Sequence, residues 1–105
     1  MYRERVARID DLEAIAKKSK KPLPSYGLAM EYRSLGRVDD AVTTFRRVHE
    51  LDAKYVAAYF MCAQVLAEKG DVDGAKGELD AGMRVALEVG DHHAHGEMEQ
   101  MRSSL

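Results

Sequence analysis

The sequence predicts an all-α protein of stacked antiparallel helical hairpins, with about six helices in a chain of 105 residues. The chain resembles itself when it is shifted by 34 residues, and its apolar residues recur three and four positions apart, as on one face of a helix. No run alternates apolar and polar residues in the way that predicts a strand. Because one hairpin cannot bury its apolar face alone, we expect the repeated residues to lie where helices contact each other.

The 34-residue shift pairs small residues with small ones and large apolar residues with large ones. The identical pairs are Ala29 with Ala63, Gly36 with Gly70, Val38 with Val72, Asp39 with Asp73 and Ala41 with Ala75. The conservative pairs are Tyr26 with Phe60, Leu28 with Cys62, Tyr32 with Leu66 and Phe45 with Leu79. Small side chains let the two helices of a hairpin approach closely, and the larger ones fill the space between them.

This unit resembles the tetratricopeptide repeat (TPR), which reads W-x2-L-G-x2-Y, then A-x3-F, then P. The matching places hold Leu28, Ala29, Tyr32, Ala41 and Phe45 in the first unit and Tyr59, Cys62, Ala63, Leu66, Ala75 and Leu79 in the second. Ser25 stands where the first unit would carry tryptophan, and Ala53 and Leu87 stand where the prolines would be. The resemblance covers roughly residues 23–89 and implies a TPR-like α-α superhelix, a fold whose members bind unrelated partners.

The whole chain, residues 1–105, is predicted to form a single domain. Its parts are an N-terminal capping helix (1–21), a first TPR-like repeat (22–55), a second repeat (56–89) and a C-terminal capping helix (91–104). The apolar stripe of the first cap is Val6, Ile9, Leu12 and Ile15 or Ala16, and that of the last cap is Ala94, Met98, Met101 and Leu105. Two repeats bury little core, so the outer helices are expected to cover their ends.

Composition excludes several classes of protein. A formal net charge of −2 is too small to argue for nucleic acid or a membrane surface, and a lone cysteine, Cys62, excludes an internal disulfide framework. The sequence lacks a long apolar run, so we expect neither a secretory signal nor a membrane span, and a cytoplasmic location follows. It also lacks a glycine-rich phosphate loop and a serine elbow. We therefore expect no enzymatic activity and no cofactor.

In stacked hairpins of this kind, the first helix of each unit lines the concave side. The predicted partner-binding groove consists of Tyr26, Met30, Arg33, Phe60, Met61 and Gln64. Aromatic residues and methionine supply large contact areas and tolerate varied partners. The groove is either open or covered, by the N-terminal helix or by a second copy of the chain.

One branch of the TPR family holds the carboxylate tails of chaperones with lysines and asparagines that line this groove. The corresponding places here hold Tyr26, Met30, Ala57 and Met61, and none of these is a cation or an amide. We therefore expect a partner other than a chaperone carboxylate tail. Apolar side chains of a protein or peptide should dominate the contact.

The segment DHHAHGEMEQ, residues 91–100, indicates an alternative to partner binding, namely a metal site. On a helix His92, His95 and Glu99 would share a face, and imidazole with carboxylate can bind zinc or nickel. A zinc site usually takes ligands from more than one element, so a solvated helix start is favoured and no metal is assigned. His49, near a helix end, is expected at the surface, and Cys62 is expected to be buried.

The predicted function is that of a non-enzymatic adaptor or scaffold that binds a peptide or partner protein through an apolar concave groove. Two alternatives remain open. The same surface, or the methionine-bearing last helix, could join two copies of the chain into a homodimer. Less favoured is a metal-binding protein that uses His92 and His95.

Overall fold

The computed structural model describes residues 2–105, with side chains from Arg8 onward, and the predicted Val6 contact lies outside those side chains. Within this range the chain forms six helices and no strand, which confirms the all-α prediction. The helices are α1 (Tyr2–Lys18), α2 (Pro22–Ser34), α3 (Val38–Leu51), α4 (Val56–Lys69), α5 (Val72–Val89) and α6 (His92–Ser104). None of the helices within residues 2–105 combines the length and the apolar character that a membrane crossing requires.

Glycine and aspartate together make the turns between later helices. Gly70 ends α4 with φ 93° and Gly90 ends α5 with φ 78°, left-handed conformations that glycine adopts without steric cost. Asp71 and Asp91 then begin the next helices, because each carboxylate accepts a hydrogen bond from a free backbone amide of the first turn. In both turns a helix therefore ends at a glycine and the next begins at a capping aspartate, so that each helix folds back on the one before it.

Two hairpins, α2 with α3 and α4 with α5, stack through the contact between α3 and α4. The small residues shared by the two units have no exposed surface, and neither do Phe45 and Leu79. These small residues are Ala29, Ala41, Ala63 and Ala75. The residues that both units share therefore lie where the stacked helices contact each other, as the sequence predicts.

The two helices of the second hairpin approach each other closely at Gly82. A methyl group built on its Cα would stand 2.6 Å from the Cβ of Tyr59 on α4 and 2.6 Å from the sulfur of Met98 on α6. Only a residue without a side chain fits where these three helices meet. Gly82 thus sets how closely α5 can approach both neighbours.

The outer helices pack on the two ends of the stack. On α1, Ile9 and Ala16 are buried against α2, whereas Ile15 is 55% exposed, so Ala16 and not Ile15 continues the stripe. On α6, Met98 is fully buried against α5, and α6 also touches α4. The contact with α4 places α6 on the side of the stack that α4 lines.

Candidate functional site

The predicted groove residues of α2 and α4 are all half-buried. Arg33 reaches from α2 to α4, where its Nη1 lies 3.5 Å from the sulfur of Met61 and its Nη2 donates to Glu68 at 2.6 Å. Met30 packs against the core beside them. The C-terminal half of α2 and the middle of α4 are thereby joined along one side of the molecule.

Tyr26 lies on the same side of α2, and its ring already contacts two other aromatic rings. The ring centroid lies 5.1 Å from that of Tyr55 and 6.0 Å from that of Phe45, the second in an edge-on arrangement. Burial raises the pKa of the Tyr26 phenol, so the group is neutral at physiological pH. Tyr26 therefore forms an aromatic wall, while Arg33 and Met61 provide the adaptable contacts.

Phe60 and Gln64 lie together at the other part of the groove, facing α6. They line a cleft of about 440 Å³ with four residues of the last helix, Glu97, Gln100, Met101 and Ser104. Phe60 and Met101 supply its apolar surface, and the two glutamines and the serine supply uncharged hydrogen-bonding groups. The only charge among these six residues is the carboxylate of Glu97, whose Oε1 lies 3.1 Å from Nε2 of His93.

Sequence reasoning missed the contribution of α6, which it assigned to a cap. The available signal was spacing: α4 begins at Val56 and α6 at His92, 36 residues later and close to the 34-residue period. By its spacing, a helix in that place corresponds to the first helix of a repeat unit. It consequently lines the same side as α2 and α4.

The described part of α1 leaves this side uncovered. It packs on a different face of α2, where the Tyr32 hydroxyl donates to Glu13 Oε1 at 2.6 Å. Burial and this bond raise the pKa of Tyr32 to about 12. Because Tyr26, Met30 and Arg33 point away from Tyr32 on the helix, α1 and the groove occupy separate faces of α2.

The histidine-rich start of α6 does not assemble a metal centre. His92 and Glu99 are exposed and His95 is half-buried. Among residues 8–105, whose side chains the structure describes, no three His, Cys, Asp or Glu residues are grouped so that they could hold a metal ion. His92 and Glu99, the two ends of the candidate ligand set, are thus exposed to solvent.

The surface position predicted for His49 is wrong. Its ring stacks on that of Tyr59 with 3.8 Å between centroids, and its Nε2 is buried without a hydrogen-bond partner among the described residues. Burial, with a smaller effect of Arg46, lowers the pKa of His49 to about 4. The imidazole is therefore neutral near pH 7 and belongs to the contact between α3 and α4.

Cys62 is fully buried nearby, as the sequence predicts. Burial raises the pKa of its thiol to about 12, so the nucleophilic thiolate does not form at physiological pH. Burial also raises the pKa of Glu78, the carboxylate that faces both His49 and Cys62. These groups form a packed layer between α3, α4 and α5 and are not arranged as a reactive site.

Comparison with known proteins assigns the fold. The tetratricopeptide repeat model matches residues 13–93, whereas a search of the curated proteins finds no significant match. A TPR domain protein from Salinibacter ruber is similar in structure, with a TM-score of 0.75, 24% identity and coverage of 80% of this chain and 85% of that one.

Two further solved structures are similar. The type III secretion translocator chaperone SycD of Yersinia enterocolitica has a TM-score of 0.83 and 16% identity, over 96% of this chain and 71% of that one. PcrH, solved in complex with the chaperone binding region of PopD, has a TM-score of 0.83 and 17% identity, over 98% and 82%. With the family model matching most of its length, this chain belongs to the tetratricopeptide repeat family.

Proposed function

We propose that the protein is a non-enzymatic adaptor that binds an apolar segment of a partner protein in the groove lined by α2, α4 and α6. The observation that carries the proposal is the cleft that Phe60 of α4 and Met101 of α6 line together. A peptide side chain placed there would bury apolar surface on both sides. Membership of the TPR family, and a similar structure solved with a segment of a second protein, support this assignment.

The lining indicates which peptides fit. Aromatic and methionine side chains favour apolar anchors, and the glutamine amides can pair with the backbone of an extended segment. The cleft between α4 and α6 contains no lysine or arginine, so it offers nothing to neutralise a terminal carboxylate. Glu97 at its edge instead favours a peptide with a neutral or basic residue beside the anchor.

A displayed library of random peptides, selected on the purified protein, tests the proposal. Selected peptides should carry apolar anchors, and Phe60→Ala should weaken their binding about tenfold or more, because truncating a central aromatic contact commonly costs over 1 kcal/mol. Fluorescence polarisation with a labelled selected peptide measures the affinities. Light scattering on the same sample distinguishes a monomer from a dimer that uses this face.

Leu87→Ala is the matched control. Leu87 is an apolar side chain on α5, 54% exposed, and lies outside the residues that line the cleft. Its removal should leave the affinity unchanged. Equal affinities of the wild type and the Phe60→Ala variant, with helical circular dichroism intact, would overturn the groove assignment.

A further inference from the structure

The turns that follow α1, α3 and α5 lie along one edge of the stack, because each helix runs antiparallel to the one before it. Contacts far from the turns show this arrangement at both ends of the stack. Tyr32 of α2 reaches back to Glu13 of α1, and Arg102 of α6 reaches back to Asp80 of α5. This turn edge therefore runs from the α1–α2 turn at one end to the α5–α6 turn at the other.

Exposed aliphatic side chains concentrate at the two ends of the turn edge. Five large hydrophobic side chains are exposed among residues 8–105, and four of them lie at these ends. Ile15 and Leu23 belong to the last turn of α1 and the first turn of α2, and Leu87 and Val89 belong to the last turn of α5. The fifth, Val72, begins α5 on the opposite edge. Apolar surface concentrated in this way indicates a contact with another molecule.

The two ends of the turn edge carry opposite charge. Residues 14–30, the basic end, contain four lysines, all within residues 17–21, and no aspartate or glutamate. Residues 85–101, the acidic end, contain no lysine or arginine and four carboxylates, those of Glu88, Asp91, Glu97 and Glu99. All eight of these side chains are exposed. The small net charge of the chain thus conceals two patches of opposite sign.

Most of these charges have no partner within the fold. Neither the four lysines nor Glu88 and Glu99 form a salt bridge with another side chain of residues 8–105. A molecule that binds the basic end must present carboxylates beside apolar side chains. The acidic end of a second copy of this chain presents both.

Two-fold symmetry allows both ends to pair at once. If two copies face each other along the turn edge, with the axis at the α3–α4 turn, each basic end lies on the acidic end of the other copy. A two-fold interface makes every contact twice, so one edge satisfies both patches. The middle of the edge carries exposed charges of both signs, Glu50 and Lys54, and can therefore face its own copy without net repulsion.

We propose that the protein forms a two-fold symmetric dimer through its turn edge. The aliphatic side chains supply the apolar surface that is buried. The charges fix the relative orientation of the two copies, because exposed ion pairs contribute little energy individually but exclude wrong arrangements. The peptide groove lies on the sides of α2, α4 and α6 and not at their turns, so both copies keep it accessible. The dimer therefore does not depend on the proposed function.

Sedimentation equilibrium of the full chain tests the proposal. At micromolar concentration and low salt the mass should be twice the 11.7 kDa of one chain, and added salt should promote dissociation because it screens the charges. Phe60→Ala, a change in the groove, should leave the mass unaltered. A single-chain mass, or a dimer that Phe60→Ala dissociates, would overturn the assignment. A monomer that sediments with phosphatidylserine vesicles would assign the basic end to a membrane surface instead.

Two charge-reversed variants test the pairing of the ends. One carries Lys20→Glu with Lys21→Glu, and the other carries Glu88→Lys with Glu99→Lys. Each should raise the dissociation constant of its own dimer about tenfold or more, because both contacts lose attraction. Mixed in equal amounts, the two variants should form a heterodimer, since one contact keeps its original charges and the other carries both reversals. A mixture that associates no better than either variant alone would contradict the proposal.

Leu23→Ser tests the apolar contribution, and Val72→Ser is its matched control on the opposite edge. Leu23→Ser should weaken the dimer several-fold, whereas Val72→Ser should not change it. Equal dissociation constants for the two variants, with helical circular dichroism intact, would count against the turn edge. Peptide affinity should be the same in all these variants, so the dimer and the groove can fail separately.

Discussion

At the scale of single residues, the occurrence of the same residue in both repeats predicts well that its side chain packs between helices. The polarity of a residue is a poorer predictor of whether its side chain is exposed. Ala41 and Ala75 are fully buried, as their repetition predicts. The prediction for His49 is wrong because polarity and a place near a helix end favour the surface, and a single sequence does not show that the Tyr59 ring stacks on the imidazole.

Gly82→Ala should destabilise the fold by about 1–3 kcal/mol, because an added methyl group overpacks the meeting point of three helices. The Tyr59 Cβ that it would strike is next to the backbone of α4 and cannot move alone. Gly77→Ala is the control on the same helix, since nothing lies within 4 Å of its added methyl group, and it should stabilise by about 0.5–1 kcal/mol. Urea denaturation measures both, and a neutral Gly82→Ala would contradict the packing described.

Acid should destabilise the protein through His49. Its pKa falls from 6.5 in the unfolded chain to about 4 in the fold, so the unfolded state binds the proton first. The contribution of neutral His49 is therefore complete above about pH 6.5 and is lost as the pH falls to about 4, by about 3 kcal/mol at most. Glu78, with its raised pKa, acts in the opposite direction.

The His49→Phe variant isolates this effect, because it keeps a ring against Tyr59 and removes the titrating group. Urea unfolding at pH 7.5 and pH 4.5 should show the wild type losing stability relative to His49→Phe. Parallel losses in both proteins would show that the imidazole is not buried as a neutral group.

At the scale of helices, the sequence predicts the existence and the order of the helices well, but it does not identify every neighbour of α6. Glycine stops, aspartate starts and a 34-residue period locate the helices because these signals are local. The role of α6 depends on which helix it touches, and its apolar stripe is shared between two neighbours: Met98 is buried near Gly82, whereas Met101 faces the cleft. Periodicity indicates an apolar face without identifying its partner.

Asp91→Ala tests the role of α6. It removes the hydrogen bond from Ala94 N to Asp91 Oδ1 and should cost about 1 kcal/mol, loosening the start of the helix. Because α6 forms one side of the cleft, binding of a selected peptide should weaken, and amide exchange should rise in α6. Asp71→Ala removes the same kind of bond from α5 and should cost similar stability without changing peptide affinity. Unchanged affinity in both variants would mean that α6 does not contact the peptide.

At the scale of the whole molecule, the helices divide between two faces with different chemistry. Arg33 links α2 to α4, and the cleft of Phe60 and Met101 links α4 to α6, so the first helices of the successive units form one apolar, weakly acidic side. A second cleft lies elsewhere, between α1, α2 and α3, and its lining includes Lys17 and Arg47 together with Glu13. The stacked hairpins thereby present two separate surfaces, the groove side and the cleft between α1, α2 and α3.

The proposed function places a partner segment along α2, α4 and α6. Its most direct test is the amide shift map of the ¹⁵N-labelled protein saturated with a selected peptide. The largest changes are expected at Arg33, Gln64 and Gln100, one on each of the three helices. Changes concentrated instead on the outward faces of α3 and α5 would contradict it.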